Sequence, residues 1–218
     1  MNPARADLVF LIDIDNTLLD HDAFKRHIGD WVDARPEAVT ADHFWGHYEA
    51  VRRNSGIVNV LESARQFGVA AESPSLGPEM RRFLWQYPFR EIMYPGVVEA
   101  IHRVGALGSL VVLCDGHGAF QRRKLRTLGV KSRLDAILVF DHKELYIPWV
   151  VGNFPAERYV LIDDKPRIHR AFKQALGERV TTVQVMQGHY AQSTESFADI
   201  RIDSFASLST LPDSLLRH

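Results

Sequence analysis

The chain has 218 residues, a length that suits one domain or a core with a modest insert, and 46% hydrophobic and 24% charged residues let it bury a sizeable core. A formal net charge of -1 gives no electrostatic reason to expect nucleic acid or an anionic membrane as partner. One cysteine, Cys114, excludes an internal disulfide; residues 1–7 carry no apolar leader, and no apolar run is long enough to span a bilayer, so a soluble cytoplasmic protein is expected.

Leu8, Val9, Phe10, Leu11 and Ile12 run without interruption into Asp13, Ile14, Asp15, Asn16 and Thr17. An unbroken apolar run of this kind predicts a strand buried on both faces, of the sort found inside a parallel sheet. After Asp20 the pattern becomes helical. Asp22 can cap a helix reaching about residue 31, with Phe24, Ile28, Trp31 and Val32 in step. Thr40 or Asp42 opens a second helix carrying Phe44, Tyr48 and Val51, residues 58–67 give a third, and Gly77-Pro78 opens a fourth that Pro88 stops. With no strand signal between Asp20 and Met93, residues 20–91 read as a helical insert, leaving 1–19 and 92–218 as the core. Strand–helix alternation then takes over. Helices are expected over 97–104, 119–128 and 167–176, and strands over 109–113, 136–140, 159–162, 180–185 and 199–202. Residues 145–154 are ambiguous. Strand–helix units joined by short turns predict an α/β fold, a doubly wound parallel sheet with helices on both faces.

Polar chemistry gathers at the strand ends: Asp13 and Asp15 after the first, Cys114-Asp115-Gly116 after the second, Lys143 past the third, Asp163-Asp164 after the fourth. In a parallel sheet those ends share one edge, where ligands bind. Two carboxylates two residues apart repel unless a cation lies between them, and Mg²⁺ prefers oxygen ligands. A carboxylate nucleophile, a metal, a cation for phosphate and a second acid are the parts of a phosphoryl-transfer site.

Asp13-Ile14-Asp15-Asn16-Thr17-Leu18 resembles the first motif of the haloacid dehalogenase (HAD) superfamily, and the later elements match in order along the whole chain. The resemblance implies a Rossmann-like core with an α-helical cap domain inserted after the first motif. It implies a Mg²⁺-dependent phosphatase acting on a small phosphorylated metabolite. Asp13 would be the nucleophile and form an aspartyl-phosphate; Asp15 would protonate the leaving group and then activate water. Lys143 would hold phosphate, in preference to Lys124. The metal would bind Asp13, the backbone carbonyl of Asp15, and Asp164 in preference to Asp163. The second motif normally ends in Ser or Thr and here falls on Cys114, a weak donor, so phosphate is expected to lean on the backbone N–H groups of Asp115 and Gly116. The cap is expected to close over the pocket and select the substrate without touching the chemistry, with His21, Phe24 and Arg90 near its hinges.

A dehalogenase of the same fold is the alternative, although that chemistry needs neither a metal nor an acid at Asp15. A phosphoryl-accepting signalling receiver would place its aspartate after the third strand, where only Asp141 stands, and would lack the insert. Other signals carry less. His43 and His47 have helical zinc spacing but Phe44 follows where a metalloprotease has Glu, and Gly116-His117-Gly118 lacks the third glycine of a dinucleotide loop. Nothing near Cys114 marks it as a nucleophile. The substrate and the oligomeric state are not readable from the chain.

Overall fold

Among the described residues the chain builds one six-stranded, wholly parallel sheet. The structure is a computed structural model that describes residues 6–216 other than 38, 57 and 194. The expectation about a leader therefore falls, for residues 1–5, outside the described residues.

The strands are β1 (Ala6–Ile12), β2 (Ser109–Asp115), β3 (Ala136–Phe140), β4 (Ala156–Asp163), β5 (Val180–Val185) and β6 (Ile200–Ile202), in the sheet order β3-β2-β1-β4-β5-β6. β1 lies at the centre, with Phe10 facing Leu110 of β2 on one side and Val160 of β4 on the other. Its apolar run is buried on both faces, as a central parallel strand requires: Phe10, Leu11 and Ile12 are all fully inaccessible. Each such side chain contributes roughly 1.5–3 kcal/mol by leaving water.

Four helices follow β1: α1 (His21–Asp33), α2 (Ala41–Ser55), α3 (Val60–Ala70) and α4 (Leu76–Gln86). The sequence pointed to Asp22 as the cap of α1. The cap is Asp20, whose carboxylate accepts from the Ala23 N–H at 2.7 Å, because Asp22 already lies inside the first turn. Thr40 caps α2 and Asn59 caps α3 through the same kind of bond. α3 and α4 approach closely at Gly68, where a Cβ would stand 2.4 Å from the Gly77 nitrogen. The remaining helices are α5 (Val97–Gly105), α6 (Gly118–Leu128), α7 (Ile147–Asn153), α8 (Pro166–Leu176) and α9 (Asp213–Leu216). The ambiguous stretch resolves into a 3₁₀ turn, Lys143–Tyr146, and α7.

Two apolar clusters sandwich the sheet. One joins Phe10, Ile12 and Val112 to Phe24, Ile28, Phe44 and Phe67 of the inserted helices and to α5 and α6. The other joins Leu11, Val111 and Tyr159 to Ile147, Ile168 and Phe172 of α7 and α8. The inserted helices thus share a core with one face of the sheet, and they overhang the C-terminal ends of β1 and β2. Among the described residues no helix is long and apolar enough to cross a membrane.

Candidate active site

The sheet edge sets the positions of the acids. The Asp13 N–H donates to the Ile162 carbonyl at 3.0 Å, so β1 pairing persists one residue past the strand and fixes Asp13 rigidly. The chain then turns sharply. The N–H groups of Thr17 and Leu18 both return to the Ile14 carbonyl, at 3.2 and 2.8 Å. Asn16 adopts φ 60°, a left-handed conformation that asparagine tolerates, and its Oδ1 accepts from the His21 N–H at 3.0 Å. That bond sets the start of α1 directly over Asp15.

Beneath the edge lies a buried charge cluster. The Lys143 ammonium is wholly inaccessible, 2.6 Å from Asp13 Oδ1, 2.5 Å from Asp163 Oδ2 and 3.1 Å from the Leu113 carbonyl. The other oxygen of Asp163 accepts from the Lys165 N–H at 2.9 Å, so this carboxylate is fully engaged. Asp164 is the opposite: buried, with neither oxygen hydrogen-bonded among the described residues. Asp13 Oδ2 is likewise without a hydrogen bond. The Lys165 ammonium stands 3.6 Å from Asp13 Oδ2 and 3.7 Å from Asp164 Oδ1, close enough to offset charge but too far to bond. Three carboxylates therefore face two ammonium groups. Burial pushes the Asp13 and Asp164 carboxyls above their ordinary range, the lysines opposing it only in part. At Asp163 burial acts the same way, but Lys143 and then Lys165 overcome it and hold the carboxyl well down.

Asp15, one turn outward, belongs to a second cluster. Lys124 of α6 grips both its oxygens, at 2.6 and 2.9 Å, Gln121 donates to Oδ2 at 3.1 Å, and His21 Nδ1 lies 3.4 Å from Oδ1. Burial raises the Asp15 pKa, yet His21 and Lys124 outweigh it, leaving the carboxyl well below the usual range. Burial pushes His21 itself down to about 3, so it is neutral near pH 7. The Lys124 ammonium is nearly inaccessible and rests 5.5–5.8 Å from the ring centres of Phe24, Phe89 and Phe120.

Above both clusters is a cavity of about 270 Å³ whose floor includes Asp13, Asp15, Asp164 and Lys165. α1 and α2 form its roof, and the loop after β5 closes one side. That loop is clasped to α1. The His189 N–H donates to Asp22 Oδ2 at 2.7 Å, its ring lies 3.0 Å from Asp22 Oδ1, and Asn16 Nδ2 meets the ring at 3.2 Å. Gly188 makes the approach possible, with φ 65° and space for no Cβ, which would meet Asn16 Cγ at 2.3 Å.

The structure brings Asp13, Asp15, Asp163, Asp164 and Lys143 together at one strand edge. It departs from the expected phosphate contacts. Cys114 is buried in the apolar cluster with its thiol 3.6 Å from the Leu138 carbonyl, outside the cavity lining. The Gly116 N–H is committed to the Phe140 carbonyl at 2.8 Å, because β2–β3 pairing runs past the end of the strand. The Asp115 side chain accepts from the Lys143 N–H at 2.8 Å and so anchors the 3₁₀ turn. Lys143, spent on two carboxylates, lies beneath the cavity rather than in its wall. The next donors along the chain are the first-turn amides of α6, which helix geometry leaves without intrahelical partners. Arg90 is exposed in the 3₁₀ turn Phe89–Ile92 and does not line the cavity, whereas Phe24 and His21 do. Gln121 and the roof residue Tyr48 had no functional reading in the sequence, since an acid at a strand end shows in a pattern and a partner arriving from another element does not; Lys165 had none either, although it directly follows Asp164 past the end of β4.

The donor set suits a hard divalent cation. One oxygen from each of Asp13, Asp163 and Asp164 falls within 4.8 Å of the others, all three residues are buried, and the orphaned oxygens of Asp13 and Asp164 lie among excess negative charge.

Solved structures share this architecture. A protein described as a haloacid dehalogenase-like hydrolase from Burkholderia xenovorans is 32% identical, with a TM-score of 0.83 over 94% of this chain and 99% of that one. The HAD-hydrolase YfnB from Bacillus subtilis, in a form bound to magnesium, is 16% identical with a TM-score of 0.63 over 94% and 98% of the two chains. An L-2-haloacid dehalogenase from Xanthobacter autotrophicus, with chloropropionic acid covalently bound, is 14% identical with a TM-score of 0.59 over 95% and 98%. The last two show the fold alone. No protein-family model matches the chain, and no curated protein matches it. The chain belongs to the haloacid dehalogenase-like hydrolases.

Proposed function

We propose that this hydrolase is a Mg²⁺-dependent phosphatase that splits a small phosphomonoester through an aspartyl-phosphate on Asp13, with the helices of residues 20–91 acting as a substrate-selecting cap. The observation that carries this reading is the group of buried oxygens without a hydrogen bond, Asp13 Oδ2 and both oxygens of Asp164, converging under a cavity whose floor also presents Asp15. Dehalogenase chemistry calls for no metal, and so gives this acidic cluster no cation to hold.

Asp13 would be the attacking carboxylate. Lys143 binds Oδ1 and leaves Oδ2 as the oxygen without a hydrogen bond. When bound by Asp13, Asp164 and the backbone carbonyl of Asp15, Mg²⁺ would offset the charges of carboxylate and phosphate so that the two can meet. Lys165 lies where its ammonium can neutralise a phosphate oxygen beside Asp13. Asp15 would give the leaving-group oxygen a proton and recover one from water. Its ionised resting state, fixed by Lys124 and Gln121, favours the second task. The roof excludes bulk water while the acyl phosphate exists.

The test is phosphate release from an aryl phosphate with Mg²⁺, with chelator, and alongside halide release from 2-haloacids. Mg²⁺-dependent phosphate release is expected. Metal-independent halide release without phosphatase activity would overturn the reading in favour of the dehalogenase.

A further inference from the structure

The roof of the cavity has a chemistry that hydrolysis of phosphate does not use. α1 presents Phe24, Lys25 and Ile28 to the cavity, and α2 presents Trp45, Tyr48 and Arg52, each set at helical spacing on one face. Phe24, Ile28 and Trp45, with Phe120 from α6, surround a region that offers an apolar body no hydrogen bonds to satisfy.

Two polar groups in this roof have no internal use. The other lining cations are committed: Lys124 to Asp15, Lys165 beside Asp13 and Asp164, Arg167 to Asp115 and Glu144, Arg52 to Glu49 at 3.6 Å. Among the described residues Lys25 is only partly exposed and has no acidic partner. The Tyr48 hydroxyl has no hydrogen-bond partner among them either, and its ring is held edge-on by Trp45. Burial first, then the nearby Asp15, pushes the phenol up to about 12, so it remains a neutral O–H donor across the physiological range. An ammonium and a phenol donor, both half-buried over an apolar wall, match an anion carried on an apolar group, which would gain a hydrogen bond from each donor while its body leaves water. A cavity of about 270 Å³ admits a phosphate and a body of about one ring.

We propose that the roof selects phosphomonoesters whose leaving group has an apolar, ring-sized body ending in a carboxylate, with Lys25 and Tyr48 receiving that carboxylate. This rests on the phosphatase reading for the phosphate end alone. Two non-hydrolysable probes separate the parts: phenylphosphonate and its 4-carboxy derivative, titrated calorimetrically into the full-length protein with Mg²⁺. The carboxylated probe should bind on the order of tenfold more tightly, the difference a charge-assisted hydrogen bond supplies. Lys25→Met and Tyr48→Phe should each remove most of that preference. Equal affinities in the wild type, no binding of either probe, or a preference that survives Lys25→Met would overturn the proposal. Turnover of the two corresponding phosphates tells the failures apart. If neither is hydrolysed but the binding preference holds, the phosphatase reading fails and the roof selection stands. If both are hydrolysed with equal kcat/KM and bind equally, the roof selection fails alone.

Discussion

Lys143 and Lys124 are both ammonium groups buried against an aspartate of the Asp13–Asp15 pair, yet they sit in different surroundings. Lys143 is surrounded by oxygens: two carboxylates and the Leu113 carbonyl accept from it or lie within ion-pair distance. Burial acts to lower its pKa, and Asp13 and Asp163 more than reverse that, holding it above the ordinary lysine range. Lys124 has one carboxylate and three aromatic faces, two of which, Phe24 and Phe89, belong to the insert and its exit. A desolvated cation–π contact is worth about 2 kcal/mol. The first lysine therefore depends on the sheet alone, and the second on how the insert packs. This corrects the expectation that the chemistry would be indifferent to the side chains of the inserted helices: His21 and Phe24 of α1 shape the surroundings of Asp15 directly.

Substitutions can break or sharpen this contrast. The largest effect is expected at the nucleophile. Asp13→Asn should lower kcat on an aryl phosphate by at least about a thousandfold, because an amide cannot attack phosphorus; activity within tenfold of wild type in a clean preparation would remove Asp13 from its role. Next come the lysines. Lys143→Met should destabilise by about 3–5 kcal/mol in urea unfolding, since two buried carboxylates lose their counter-charge. Lys124→Met places an apolar chain among aromatic rings and leaves only the half-buried Asp15 unpaired, so about 1–2 kcal/mol is expected. Its mark should instead be a fall in kcat with KM little changed. Equal stability losses would erase the distinction between the two sites.

The acidic pair after β4 tests the sheet-side cluster more finely. Asp164→Ala should weaken Mg²⁺ binding, read by calorimetry, on the order of tenfold more than Asp163→Ala, because Asp163 is already engaged by Lys143 and a backbone N–H. The reverse order would mean that the bonds to Asp163 give way on loading. The smallest effect belongs to an exposed counterpart, Lys173 with Asp199, where Asp199 also accepts from the Thr182 N–H at 2.9 Å and hydroxyl at 2.8 Å. Burial raises the Asp199 pKa, but Lys173 and Thr182 together outweigh it and bring it below the ordinary value. A depressed carboxyl stabilises the fold above the unfolded pKa and loses that contribution as pH falls through the folded one. Asp199→Asn should thus cost under about 1 kcal/mol at pH 7, and the difference should shrink below about pH 4. A loss that grows on acidification would show the sign to be wrong.

Much of the framework was legible because each part of it is written locally. Alternation of apolar runs and turn residues located all six strands, with 136–140 and 180–185 placed to the residue. The acids were legible for the same reason: Asp13 and Asp164 stand where an apolar run stops. What escaped was pairwise and long-range. Nothing local says that Lys124 crosses to Asp15, 109 residues away, or that Lys143 spends itself on Asp13, 130 residues away. Cys114 stands near the end of β2 as the pattern indicates, but that its thiol meets the Leu138 carbonyl of the neighbouring strand is not written locally. The ambiguity over 145–154 had a physical source as well, since a four-residue 3₁₀ turn running into a seven-residue helix has too little length for a periodic signal.

The central place of β1 has a further consequence, for the time course of folding. Its partners are β2, beginning at Ser109, and β4, beginning at Ala156, so β1 is synthesised well before it can be fully paired. The four inserted helices pack largely against their sequence neighbours and can gather early, whereas closing the sheet around β1 demands loops of a hundred residues and more. Until β4 arrives, Leu8 to Ile12 present an open, apolar edge of the kind that pairs with other chains. Asp13 follows that edge directly, so its buried cluster with Asp163 and Asp164 cannot assemble until β4 arrives.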